Sequence, residues 1–250
     1  MSEVLFYAIL SIFLVSVVSL IGIFTLSIKV ERLKNFLSLF VSFSAGTLFG
    51  DAFIHLLPEA VESAGGFTLS VSLYAVSGVA IWFLIEKVVH WHHCHNITCK
   101  EGIGTFAIMN LYGDVVHNMI DGLIIGASYT VSIPLGLATT VAVFLHEIPQ
   151  EISDFGVLIH GGFSRKKALF FNFLTALSAF VGLVFVLVFS TYVDGFNAFV
   201  IPFAAGAFIY VAGADLIPEL HKEVNVKKSI IQFIFFVVGV GVMVALLNFG

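Results

Sequence analysis

Charge is scarce in this chain. Of its 250 residues, 11 are Lys or Arg and 16 are Asp or Glu, while 59% are hydrophobic. Soluble domains carry about 25% charged residues, so this balance, with a mean hydropathy of +1.08, excludes a soluble globule. The same apolar content excludes a disordered chain. Cysteine is nearly absent, with Cys94 and Cys99 alone, which excludes a disulfide scaffold. Five prolines and 22 aperiodic glycines exclude a collagen-like repeat. The few basic residues are scattered, so nucleic acid has no electrostatic footing as a partner.

What the sequence has instead is long apolar runs. A helix crossing a bilayer needs roughly 20 such residues. Eight runs qualify, at about 4–28, 36–57, 69–90, 105–130, 134–160, 167–190, 196–220 and 229–249. They are too long and too uniform to be transmembrane strands, which alternate over ~10 residues. The expectation is therefore an all-α, polytopic membrane protein with eight transmembrane helices. The first run lacks a basic leader and a small-residue cleavage site, so it reads as a retained helix.

Cytoplasmic flanks accumulate Lys and Arg. All 11 basic residues fall near alternate connections: Lys29, Arg32 and Lys34; Lys87 and Lys100; Arg165, Lys166 and Lys167; Lys222, Lys227 and Lys228. The other connections carry acids or nothing, as with Glu59, Glu62 and Asp194. This places both termini outside. A weak internal echo accompanies the pattern. Phe43-Ser-Ala-Gly46 with Pro58-Glu59 is matched, 160 residues on, by Phe203-Ala-Ala-Gly206 with Pro218-Glu219. The two copies would run in opposite directions, as in an inverted repeat.

An ionisable residue at the centre of a membrane helix costs roughly 2.5–3.5 kcal/mol on insertion scales, so clusters of them mark function. The fourth and fifth runs hold such a cluster. The fourth contains Asp114, His117, Asn118 and Asp121; the fifth contains His146, Glu147, Gln150, Glu151 and Asp154. Residues i and i+4 share a helix face, so His117 pairs with Asp121 and His146 with Gln150. Two imidazoles with carboxylate and amide oxygen suit a borderline dication such as Zn²⁺, and would also accept Fe²⁺, Mn²⁺ or Cd²⁺. One residue further round, Asn118, Glu147 and Glu151 offer an adjacent site. Pro149 removes a backbone donor here and frees a carbonyl near residue 145.

At these residues the chain resembles the ZIP (Zrt/Irt-like) family of divalent metal transporters. His117-Asn118-x-x-Asp121-Gly122 looks like the family's signature on span 4, and His146-Glu147-Ile148-Pro149-Gln150-Glu151 like that on span 5. The resemblance implies a binuclear metal centre, with His117, Asp121, His146 and Gln150 at one site and Asn118, Glu147 and Glu151 at or beside the second. It implies an elevator-type carrier, in which spans 1, 4, 5 and 6 move against spans 2, 3, 7 and 8, often as a homodimer. Asp51 and His55 resemble entrance residues facing outside, and Asp114 is placed with them on the pathway. Gln150 stands where many relatives have His. On span 6, where some relatives supply a carboxylate, the expected counterpart in this chain is Ser178.

His90-Trp-His-His-Cys-His95, with Cys99, has metal-binding composition in the 91–103 connection, so His90, His92, His93, Cys94, His95 and Cys99 are candidate ligands on the cytoplasmic side. Asp215, Glu219 and His221 are weaker candidates for an exit path. The functional expectation is uptake of a divalent transition-metal cation, zinc foremost, into the cytoplasm across a plasma or inner membrane. The metal is cargo, and no enzyme cofactor is implied. An intramembrane zinc-dependent hydrolase would require His-Glu-x-x-His, whose second His is Gln150 here. A metal-selective channel would use the same residues as a carrier.

Overall fold

The computed structural model describes residues 2–25, 30–91 and 103–249, and among them the chain is helical nearly throughout, with no strand. Eight rods follow one another. α1 is Ser2–Val18, tightened to a 3-10 turn at Ser19–Ile21 and continued by Gly22–Thr25. α2 runs Val30–Gly50, widens to a π-helical turn over Asp51–Leu56 and ends with Leu57–Ser63. α3 is Leu69–Trp91, α4 is Ile103–Val131 and α5 is Ile133–His160. α6 is broken into Arg165–Ala176 and Ala179–Tyr192. α7 runs Phe196–Tyr210, through a π turn at Val211–Leu216, to Ile217–Leu220. α8 is Val226–Leu246 with a final 3-10 turn, Leu247–Phe249.

Six of the rods, α1 to α3 and α6 to α8, are long and apolar enough to cross a membrane. The exceptions are α4 and α5. Their lengths of 29 and 28 residues suffice, but the ionisable residues they carry dilute the hydropathy. Those residues are turned inward: Asp114, Asn118, Asp121, His146, Glu147 and Glu151 are all buried. The core around them is aliphatic and aromatic, including Ile12, Leu48, Ile124, Ile125, Tyr129 and Phe208.

The 160-residue echo has a structural counterpart. The π turns Asp51–Leu56 and Val211–Leu216 are offset by 160 residues, and each is followed by a proline, Pro58 or Pro218. The packing of these rods repeats as well. A Cβ on Gly46 of α2 would lie 2.1 Å from the carbonyl oxygen of Phe236 on α8, and one on Gly239 would lie 2.3 Å from that of Phe43. In the other pair, a Cβ on Gly206 of α7 would run into the carbonyl oxygen of Ala75 on α3, and one on Gly78 into that of Phe203. α4 and α6 use the same reciprocal device, a Cβ on Gly122 colliding with the carbonyl oxygen of Ala179 and one on Gly182 with that of Met119. Without a hydrophobic drive between helices in lipid, such backbone-to-backbone approach is what joins them.

Polar links follow the same grouping. Ser11 Oγ and Tyr129 Oη, 2.7 Å apart, join α1 to α4. Ser16 donates to Ala176 O, joining α1 to α6, and Ser178 donates to Val115 O, joining α6 to α4. Thr139 on α5 donates to Ser128 on α4. In the remaining set, Gln232 of α8 donates to Ser38 of α2, and Tyr210 of α7 to Glu86 of α3. Ser44 to Leu145 O and Thr130 to Asn197 cross from one set to the other.

Adding a methyl where backbone faces backbone cannot be relieved by a side-chain rotation. Gly122→Ala or Gly206→Ala is therefore expected to lower stability by about 1–3 kcal/mol, read as a reduced melting temperature in detergent. Gly241→Ala, with no atom within 4 Å of its Cβ, is the control and should melt no lower than the parent.

Candidate metal centre

α4 and α5 form a tight hairpin. Ser132 alone separates them, in extended conformation, and its hydroxyl accepts from Leu135 N at 3.2 Å to cap α5. Four side chains meet between the two helices. His117 Nε2 lies 3.3 Å from His146 Nε2, 3.1 Å from Glu147 Oε1 and 3.5 Å from Asp121 Oδ2. His146 Nε2 lies 3.2 Å from both Asp121 Oδ2 and Glu147 Oε1. One donor atom from each of the four residues falls within 4.8 Å of the others.

Five of the six distances among these four donors are thus 3.1–3.5 Å, the spacing expected along the edges of a tetrahedron. An edge is about 1.6 times the distance from centre to vertex, so edges of 3.1–3.5 Å imply a centre about 1.9–2.1 Å from each donor, the bond length of Zn²⁺ to His nitrogen and carboxylate oxygen. Two Nε2 atoms facing each other at 3.3 Å cannot both carry a proton without repulsion, so at least one of them presents a lone pair. His146 Nδ1, 3.3 Å from Ala142 O, supports that tautomer by donating to the backbone. Two imidazoles and two carboxylates would leave a bound dication with no net charge.

Gln150, expected beside His146, makes no hydrogen bond to these four residues. It lines a cavity of about 180 Å³ together with Trp82, Glu86, Asn110, Asp114, His117, Asp154 and Asp215 among others. Glu147, expected at the neighbouring site, completes the tetrahedron instead.

A second cluster is all oxygen. Asp114, Glu151 and Asp154 each offer a carboxylate oxygen within 4.8 Å of the others. Each is held by one asparagine: Asn118 Nδ2 donates to Asp114 Oδ1 at 2.7 Å, Asn110 Nδ2 to Asp154 Oδ1 at 2.9 Å, and Asn172 Nδ2 to Glu151 Oε2 at 2.5 Å. The other oxygen of each carboxylate, Asp114 Oδ2, Glu151 Oε1 and Asp154 Oδ2, is shielded and has no hydrogen-bond partner. Asp114 thus lies in this cluster, on the cavity that reaches His117. α6 reaches the cluster through Asn172, whereas Ser178 donates to Val115 O. Asn110 had a legible signal, since 110, 114 and 118 are spaced by four along one face of α4. Asn172, amid Phe170, Phe171 and Phe173, had none.

The carbonyl freed by Pro149 is that of Leu145. It accepts from Ser44 of α2 at 2.7 Å, which satisfies it one residue before His146. Asp51 and His55 share the π turn of α2, with Oδ1 and Nδ1 3.2 Å apart, and belong to neither cluster. Glu219 pairs with Lys222 at the surface, and His221 is exposed. His90 falls near the end of α3, but its side chain lies outside the described residues, as do His92, His93, Cys94, His95 and Cys99.

The family profile described as ZIP zinc transporter matches residues 2–101 and 92–247. A zinc transporter of Caenorhabditis briggsae, zipt-7.1, is 31% identical over 83% of this chain and 70% of its own length. The human metal cation symporter ZIP8 is 31% identical over 95% of this chain and 67% of its own. The zinc transporter ZIP13 of Pongo abelii is 34% identical over 82% and 65%. With profile and relatives both running nearly the length of an all-helical chain built around a buried His and carboxylate cluster, the chain belongs to the ZIP zinc transporter family.

Proposed function

We propose that this protein carries a divalent transition-metal cation, zinc foremost, across a membrane into the cytoplasm. The tetrahedron formed by His117, Asp121, His146 and Glu147 carries this reading. Its nitrogen and oxygen donors suit Zn²⁺ and also admit Fe²⁺, Mn²⁺ or Cd²⁺, with selection left to geometry and supply. A hydrolytic zinc site keeps one position open for water. Four protein donors closing round one ion would leave none, which favours transport over hydrolysis.

In this reading all eight rods span the bilayer. At 1.5 Å per residue, α4 and α5 are each about 42 Å long, enough to cross, with their ionisable faces turned into the protein. The Lys and Arg distribution orients both termini outside, in a plasma or inner membrane. The repeated π turns and glycine contacts support an inverted relationship between α2–α3 and α7–α8. The grouping of close contacts supports an elevator in which α1, α4, α5 and α6 move as one body against α2, α3, α7 and α8. Cavity-lining residues near the basic ends of α3, α4, α5 and α7 fit an inward-facing state, with His117 as the ligand nearest release. The second cluster would receive a harder cation or hold protons, and Asp51 with His55 would meet the ion on its way in. Lipid covers exposed apolar residues such as Phe6, Phe83 and Phe233, and a homodimer would cover part of that surface.

In proteoliposomes, His146→Ala and Asp121→Ala should abolish saturable Zn²⁺ uptake while the protein keeps its helicity and elution volume. Uptake at the parental rate in either variant would reject the centre. The tetrahedron also ranks two neighbouring residues. By calorimetry, Glu147→Gln, which removes a ligand charge, should weaken Zn²⁺ binding at least about 100-fold, whereas Gln150→Ala should cost about tenfold or less, as for a group outside the first ring of donors. The reverse ranking would return Gln150 to the donor set.

A further inference from the structure

The two imidazoles of the centre are held differently. His146 is fixed by its Nδ1 contact to Ala142 O, one turn back on α5. His117 has no such anchor: the polar contacts it makes among the described residues all run through Nε2. It is also the most open of the four ligands, its side chain 12% exposed against 2% for Asp121 and His146. An imidazole without a partner on its second nitrogen is free to turn about χ2, and a turn would carry Nε2 off the tetrahedron.

What the His117 ring does meet is an indole. Trp82, on α3, lies edge-on to it, with ring centroids 5.2 Å apart and planes at 77°. Trp82 is buried, 6% exposed, and walls the cavity into which His117 opens. Among the described residues, no other member of the cluster is in ring contact with tryptophan; His146 meets His117 and Phe208. A T-shaped aromatic contact has a preferred geometry, so it restrains ring orientation where no hydrogen bond does.

We propose that Trp82 is the positioning residue for His117, fixing the imidazole plane so that Nε2 stays on the metal. It substitutes, from the opposite set of helices, for the backbone acceptor that His146 has and His117 lacks. The proposal rests on the metal-centre reading, so the test has to separate the two.

Co²⁺ is the probe, because its visible absorption is intense in tetrahedral sites and reports distortion of them. Titrated into purified protein in detergent, Co²⁺ should bind Trp82→Met about tenfold or more weakly than the parent, with a shifted or weakened band, as expected when the group orienting a ligand is lost. Trp82→Phe, which keeps an aromatic edge, should recover most of both. A packing role alone would lower melting temperature without changing the band of the folded protein. In Trp91→Phe, Trp82 is the sole tryptophan. Its fluorescence should then respond to Zn²⁺ with a single saturable midpoint, whether or not Trp82→Met folds. Parental Co²⁺ affinity and spectrum in Trp82→Met, no recovery in Trp82→Phe, or a flat fluorescence response would each overturn the role of Trp82 and leave the metal centre standing. A parent protein with no saturable Co²⁺ or Zn²⁺ binding would overturn both.

Discussion

Five carboxylates sit in α4 and α5, and residues 103–160 contain no Lys or Arg to balance them. In a low-dielectric interior, unpaired charge costs several kcal/mol per ion even after relaxation, so this hairpin is tolerable only if protons or cations share it. The rest of the structure answers to that constraint. Where imidazole and carboxylate meet, donors 3.1–3.5 Å apart have the spacing that a tetrahedral ion would need. Where only carboxylates meet, each keeps one oxygen on an asparagine and leaves the other without a partner. Ordinary buried salt bridges would not leave so many oxygens unpaired.

Holding such a cluster requires rigidity nearby and freedom further out. Rigidity comes from backbone contact at Gly122 and Gly182, and from hydroxyls and amides that tie α1, α4, α5 and α6 together. Asn172 does two jobs in this set, donating to Glu151 and to Ser19 O at the point where α1 tightens into a 3-10 turn. The second set has its own glycine contacts and its own polar links. Between the sets, Ser44 reaches the one carbonyl that Pro149 leaves without a helical donor. The carbonyl that the proline would otherwise leave stranded thus becomes a point of contact between the two groups of helices, one residue before His146.

Much of this was legible in the sequence, and the limits have physical reasons. Helix periodicity brought His117 and Asp121 to one face, and the proline rule located the free carbonyl to the residue. Composition counted the rods, but hydropathy alone would have missed α4 and α5, because the residues that make the site are the ones that dilute the signal. Local spacing could not decide between Glu147 and Gln150. That choice depends on which edge of α5 faces α4, a tertiary matter: i,i+4 reasoning from His146 pointed to Gln150, whereas the carboxylate that lies against both imidazoles is Glu147. Asn172 was invisible for the same reason: nothing in its phenylalanine-rich surroundings says that its amide will meet Glu151. Trp82 read as ordinary span-filling until its ring was found against His117.

The two clusters also differ in the ions they suit, and their order along the cavity has a consequence. The mixed nitrogen and oxygen set favours a borderline ion, whereas the all-oxygen set favours harder ones. Asp114 and Asp154 line the cavity beside His117, so an ion leaving the tetrahedron toward the basic end passes oxygen donors that bind zinc less well than imidazole does. Glu147 and Glu151, one turn apart on α5, bridge the two environments. In the proposed transport, such a descending series of donors would release a soft-leaning ion without requiring any single ligand to be weak. The same lack of basic residues that makes α4 and α5 poor membrane helices would then give that path a direction.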